Sequence, residues 1–191
     1  RGVELAPDSA VLNSRVAMAY SWLGMNEDAH RYFERANALG AGGTTHMLAS
    51  ALSLYRLGET DQSYAVAREA VSLAGVSGNW VDPVFLALND SLGVPAALAA
   101  VDAATGSGEL NPQAEVVVRA LLGDVDGALE VAERLEAPGE VFEMDLLFTP
   151  ELKTVRQRQE FVDLMRRLGV DAYWRANSCT FHDADVVCPT G

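Results

Sequence analysis

A Leu-Gly pair returns along this chain at a nearly constant interval, and that period restricts the fold more than any other feature. The pairs are Leu23-Gly24, Leu57-Gly58, Leu92-Gly93 and Leu122-Gly123, so successive glycines lie 34, 35 and 30 residues apart. After each pair comes a turn, then a triplet of mostly small residues spaced by four and then three. The triplets are Ala29, Phe33 and Ala36; Ser63, Ala67 and Ala70; Ala97, Val101 and Ala104; and Ala128, Ala132 and Leu135. Such spacing puts the three on one helix face, where small side chains let a second helix approach closely. The segment before each glycine is also helical in pattern, with Val11, Val16, Ala17 and Tyr20 ahead of Gly24 and Leu48, Ala51 and Leu54 ahead of Gly58. Each unit therefore reads as helix, tight turn, helix. A lone helical hairpin cannot bury both faces, so units that stack supply the core.

Punctuation agrees with that reading. Pro7-Asp8-Ser9 precedes the first unit, and Asp82-Pro83 and Asn111-Pro112 each offer a cap residue followed by a first-turn proline. Val94-Pro95 does the same for a second helix. The expected fold is all-α: a right-handed superhelical solenoid of antiparallel helix pairs, with about four units over 10–43, 44–77, 78–108 and 109–137. Capping helices over 138–170 and an irregular tail over 171–191 complete it. The competing arrangement is a helical bundle without repeats.

The pattern resembles the tetratricopeptide repeat. The first unit carries the likeness best, in Tyr20-Ser21-Trp22-Leu23-Gly24, then Ala29, Tyr32-Phe33 and Ala36. The second and third units are degenerate, and the fourth reads Leu121-Leu122-Gly123-Asp124, then Gly127-Ala128-Leu129 and Ala132. The C-terminal part carries a second likeness. Pro150-Glu151-Leu152 through Phe161 to Leu168-Gly169, then Tyr173-Trp174-Arg175 and a two-cysteine ending, resemble the end of certain bacterial signalling proteins. Those proteins place tetratricopeptide repeats behind an effector, a winged-helix DNA-binding domain in some and an adenylate cyclase domain in others. The resemblance implies a regulatory or interaction module, and a start at Arg1 rather than Met reads as a piece of something longer.

Composition narrows the function. Of 191 residues, 27 are Asp or Glu and 14 are Lys or Arg, for a formal net charge of −13. Direct nucleic-acid binding by this segment is therefore not expected, because phosphate contacts need clustered cations. The longest stretch free of Asp, Glu, Lys and Arg, Ala36–Tyr55, contains Gly40, Gly42, Gly43, Thr44, Thr45 and His46 and does not suit a bilayer, so no membrane span is expected. Gly40-Ala41-Gly42-Gly43 lacks the Lys-Ser/Thr of a phosphate loop and reads as an inter-repeat loop. His30, His46 and His182 share no ligand spacing. No polar catalytic cluster stands out, so the expectation is a protein that is not an enzyme, with no catalytic residue, metal or cofactor.

The candidate site is a groove. In a tetratricopeptide stack the first helix of each unit lines the concave surface, which registers Ser14, Met18 and Trp22 in the first unit with Leu48, Leu52, Tyr55 and Arg56 in the second. Trp80 is the matching contribution of the third. The peptide-carboxylate clamp of the family's chaperone-binding members needs Lys, Asn and Arg where this chain has Ser14, Met18 and Leu48. A mostly apolar surface with aromatic edges remains, suited to a protein or peptide partner, to the chain's own effector domain, or to a homodimer. The alternative function is a stand-alone peptide-binding adapter or chaperone-like protein.

Lys153, Arg156, Arg158, Arg166, Arg167 and Arg175 gather near the end and are expected to form a basic terminal cap that meets carboxylates between Asp124 and Asp145. Cys179 and Cys188 are the only cysteines. They can close a disulfide, remain thiols, or bind a metal with His182 and Asp183 or Asp185. The disulfide is preferred, because it would stabilise a tail with few apolar anchors by roughly 2–3 kcal/mol. A disulfide would place the segment in an oxidising compartment such as the periplasm, and free thiols would place it in the cytoplasm.

Overall fold

The computed structural model describes residues 6–134 and 144–189. It is mostly helical, with a two-stranded sheet near the end. The chain divides into two compact units, Arg1–Ala96 and Ala97–Gly191. The boundary falls inside the expected third repeat, 78–108, so its two helices belong largely to different units.

The first unit opens with α1 (Ala10–Trp22), α2 (Asn26–Ala38), α3 (Thr44–Arg56) and α4 (Thr60–Leu73). Ser9 starts α1, its hydroxyl accepting from the Leu12 amide at 3.3 Å. Gly24 at φ 73° and Gly58 at φ 84° end α1 and α3 in the left-handed conformation that glycine adopts without a Cβ clash. The bonds around them repeat. Gly24 N donates to Ser21 O and Met25 N to Tyr20 O, while Gly58 N donates to Tyr55 O and Glu59 N to Leu54 O, all at 2.9–3.0 Å. Consequently α1 packs on α2 and α3 on α4 as helical hairpins. Ala29, Phe33 and Ala36 on α2 and Ser63, Ala67 and Ala70 on α4 are all buried, and the Ser63 hydroxyl is satisfied by Ala51 O at 2.7 Å.

The third copy departs from the pattern. Helix α5 (Val81–Asn89) is capped by Trp80 rather than Asp82. Asp82 instead lies in the first turn, where it accepts from the Tyr64 hydroxyl at 2.9 Å and pairs with Arg68 at 3.6 Å. Gly93 does not take a left-handed turn. It closes a short 3-10 turn, Ser91–Gly93, so tightly against α5 that a Cβ there would come within 3.2 Å of Ala87 Cα.

The second unit holds most of α6 (Val94–Gly106), then α7 (Pro112–Leu121) and α8 (Val125–Arg134). Asn111 caps α7 from Pro112, accepting from the Ala114 amide at 2.8 Å, as its sequence position suggests. The turn at Gly123 repeats the bonds of Gly24 and Gly58, with Gly123 N to Ala120 O and Asp124 N to Arg119 O. Ala97, Val101 and Ala104 on α6 and Ala128 and Ala132 on α8 are buried. The fourth triplet's Leu135 and the start of the expected capping helices, residues 138–143, lie outside the described residues. Met144–Phe148, within that expected capping segment, is a 3-10 turn.

A second 3-10 turn, Pro150–Leu152, leads into α9 (Lys153–Arg156), α10 (Gln159–Arg167) and α11 (Val170–Ala176). Thr149 makes no side-chain cap bond, and its hydroxyl is buried without a partner. Within the expected capping segment, Gln157 and Arg158 separate α9 from α10. Both helices pack against α8. The expected irregular tail is ordered: α11 is followed by an antiparallel hairpin, β1 (Thr180–His182) and β2 (Asp185–Val187), whose register pairs Phe181 with Val186. Its two-residue turn, Asp183-Ala184, takes positive φ at both residues, the twist that suits a tight hairpin.

Candidate interaction surface

Of the groove residues expected on α1, Ser14 faces α3. Ser14, Ala17 with Met18, and Ser21 recur at helical spacing, and His46, Ser50 and Ser53 do the same on α3. Two hydrogen bonds join the stripes, Ser14 Oγ with His46 Nδ1 at 2.7 Å and Ser53 Oγ to Ser21 Oγ at 2.9 Å. Both pairs are separated by 32 residues. Met18 is only 5% exposed and packs with Ala17, Ala29 and Phe33, with Trp22 half-buried against the same cluster. Met18 is thus core rather than groove wall, and Ser14 is committed to His46.

His46 ties three helices together. Its Nε2 lies 2.7 Å from Asn37 Oδ1 at the end of α2, and Phe33 meets the imidazole edge-on at 5.0 Å. An amide oxygen only accepts, so Nε2 carries the proton, and in the neutral ring Nδ1 accepts from the Ser14 hydroxyl. Both nitrogens are used, and burial holds the pKa below the ordinary 6.5, which favours the neutral ring. The folded state then binds fewer protons than the unfolded one, so this stabilisation is complete above pH 6.5 and is lost as pH falls through the lower folded value. Urea titrations between pH 7 and 5 should show wild type losing more stability than His46→Gln. Equal slopes would show that the ring does not carry the effect.

Arg56 is also drawn into the fold. Its guanidinium donates to the Ser21 carbonyl, with Ser21 Oγ at 3.3 Å and Asn26 Oδ1 at 3.4 Å. A cation at the carbonyl end of α1 complements the helix dipole and satisfies a terminal acceptor. Trp80 is 5% exposed at the head of α5, and its indole nitrogen is buried without a partner. It too is removed from any open wall. Leu48, Leu52 and Tyr55 remain half-exposed along α3, and Val11, Arg15 and Ala19 form an exposed row on α1. These positions are what the candidate surface retains.

Two charged clusters in the second unit escape sequence inspection. Glu115 is 1% exposed in α7 and accepts from Arg119 Nε at 2.8 Å, with Arg134 at 3.5 Å. Arg119 also donates to Asp124 at 2.7 Å and to Asp102. Burial opposes its charge, but the three carboxylates outweigh that and raise its pKa above the ordinary value. The only sequence signal is the Glu115/Arg119 spacing of four on one helix face.

Arg156 is 4% exposed and donates to three main-chain oxygens, Ala184 O at 2.6 Å, Thr149 O at 2.8 Å and Leu147 O at 2.9 Å. Asp185 lies 3.8 Å away, and Phe148 lies beneath the guanidinium at 5.7 Å. Burial lowers the Arg156 pKa, and Asp185 and Glu151 oppose that shift. The residue is an internal tie, whereas the sequence presents it as one more cation of the cap. Arg158 and Arg167 do meet α8, at Asp126 and at Glu133, the latter at 3.0 Å. Arg166 and Arg175 pair within their own segment, with Asp163 at 2.6 Å and Asp171 at 2.7 Å.

Cys179 and Cys188 are joined as a disulfide across the open end of the hairpin. The tail does not lack apolar anchors. Phe181 stacks on Trp174 at 5.4 Å and lies 5.8 Å from Phe161, and Phe148 approaches Phe161 and Trp174 edge-on at 6.1 Å.

Among the described residues, no group of three or more His, Cys, Asp or Glu is placed to hold a metal ion. Among them also, no helix is long and apolar enough to cross a membrane. No family model, curated protein or solved structure matches the chain.

Proposed function

We propose that this chain is a non-catalytic protein–protein interaction module of tetratricopeptide type, the regulatory part of a larger bacterial signalling protein. In this reading the helical hairpins stack as a right-handed solenoid, and the partner is a peptide segment or the effector domain of the same protein. The observation that carries it is the recurrence of one turn, with the same pair of backbone bonds, at Gly24, Gly58 and Gly123. Two further features support it. The Ser14–His46 and Ser21–Ser53 bonds couple the first helices of consecutive hairpins, and small residues fill the hairpin interfaces. The likeness of the C-terminal part to regulators and cyclases supplies the signalling context.

The contact residues proposed are Leu48, Leu52 and Tyr55, which are half-exposed on α3. Calorimetric titration with the effector domain supplied in trans tests the assignment. Leu52→Ala with Tyr55→Ala should weaken binding about tenfold or more, the scale of a lost apolar anchor, with little change in Tm. Met18→Ala should lower Tm and leave the affinity of the folded fraction unchanged. Unchanged affinity in the double variant would remove the surface from consideration, and absence of binding by wild type would remove the effector as partner.

A further inference from the structure

We propose that Cys179–Cys188 is a redox latch that holds the C-terminal hairpin down over an aromatic patch and releases it on reduction. Four observations converge on this, none of which depends on the partner proposed above. Each strand has three residues, and a lone two-stranded ribbon of that size is not stable in water. The register pairs Thr180 with Val187, so the disulfide sits one step beyond, at the open end where the strands would otherwise fray. The turn is built on Asp183 and Ala184 at φ 50° and 69°, and Ser178 before β1 stands at φ 58°, conformations that cost a non-glycine residue energy. The hairpin also presents the Ala184 carbonyl to buried Arg156 and lays Phe181 over Trp174 and Phe161.

The two sulfurs differ in access. Cys188 is exposed, whereas Cys179 is buried. A thiolate of a dithiol reductant attacks Cys188 Sγ, breaking the S–S bond and expelling the Cys179 thiolate, which takes a proton. The second thiol of the reductant then attacks the mixed disulfide. Cys188 leaves as a thiol and the reductant becomes a disulfide, for two electrons and two protons in all. Release of the hairpin takes the Ala184 carbonyl and Asp185 from Arg156 and uncovers the faces of Trp174 and Phe161. The guanidinium keeps Leu147 O and Thr149 O, so α9 and α10 stay in place.

Hydrogen exchange followed by mass spectrometry, on protein held oxidised or reduced with dithiothreitol, tests the latch. Reduction should yield two thiols per chain and speed exchange of residues 180–187 by about a hundredfold, the loop-closure advantage of a short cross-linked segment. The helices of the second unit should keep their protection, and reoxidation should restore the hairpin. Cys188→Ser should show the fast exchange without reductant. Unchanged exchange on reduction would mean that the aromatic stack holds the hairpin unaided. Loss of protection throughout the second unit would make the bond a structural staple, and failure of dithiothreitol to release thiols from the native protein would make it inaccessible. Each of these three results overturns the proposal.

Discussion

Replacing Arg156 by Met is expected to destabilise the second unit by about 3–5 kcal/mol, the range for removing one member of a buried charged network. The stem of the side chain is kept, but Leu147 O, Thr149 O and Ala184 O lose the guanidinium in a place closed to solvent. Thr149 O keeps the Leu152 amide at 3.2 Å, so the loss falls on Leu147 O and Ala184 O. Each buried acceptor left unpaired costs about 1–3 kcal/mol, and two of them reach that range. Arg156→Lys should recover only part of the loss, because an ammonium cannot span three carbonyls as a planar fork does. Urea denaturation followed by exchange at the hairpin amides measures both. A cost below about 1 kcal/mol for Arg156→Met, the ordinary size of a surface contact, would show that water replaces the guanidinium freely.

Glu115→Ala should have an effect of similar size, about 3–4 kcal/mol, for a related reason. Its carboxylate is almost wholly buried and holds Arg119, while Arg134 reaches it from α8. Arg119 keeps Asp102 and Asp124 in the variant, which limits the loss. Glu115→Gln, with one acceptor oxygen but no charge, should fall between. Because the pair is buried, the penalty should hardly change between low and high salt. The exposed pair Arg158–Asp126 provides the contrast: its removal should cost less than about 1 kcal/mol and should fade with salt. A strong salt dependence for Glu115→Ala would mean that its surroundings are wetter than the packing implies.

These two positions also mark where inspection of the chain stops being informative. Arg156 belongs to a run of cations spread among acids, and nothing local separates it from Arg158, which meets Asp126 at the surface. The difference is made by Ala184, distant in sequence, whose carbonyl arrives only when the hairpin folds back. Glu115 and Arg119 are a readable helical pair, but the burial that gives the pair its weight depends on α6 and α8 closing around it. The same limit applies to the groove residues expected on α1. Glycine spacing locates the turns at Gly24, Gly58 and Gly123 and the small-residue faces beside them, since both follow from local geometry. It does not determine which side of α1 meets α3, where Ser14 bonds His46 and Ser21 bonds Ser53.

What the sequence by itself determined is the helical character, the turns at Gly24, Gly58 and Gly123, the buried small faces, and the cap at Asn111. Each of these depends on neighbours within a few positions: a φ that only glycine takes easily, a side chain that bonds an amide three residues on, a periodic face. The tertiary structure decided the rest, because those choices depend on residues far apart in the chain. It placed Met18 and Trp80 in the interior and turned Arg56 onto the end of α1. It converted the third Leu-Gly into a different turn through the close approach of Gly93 to Ala87. It also made an ordered, disulfide-closed hairpin of the tail, since Phe181 has a face to stack on only after α11 has brought Trp174 beside it.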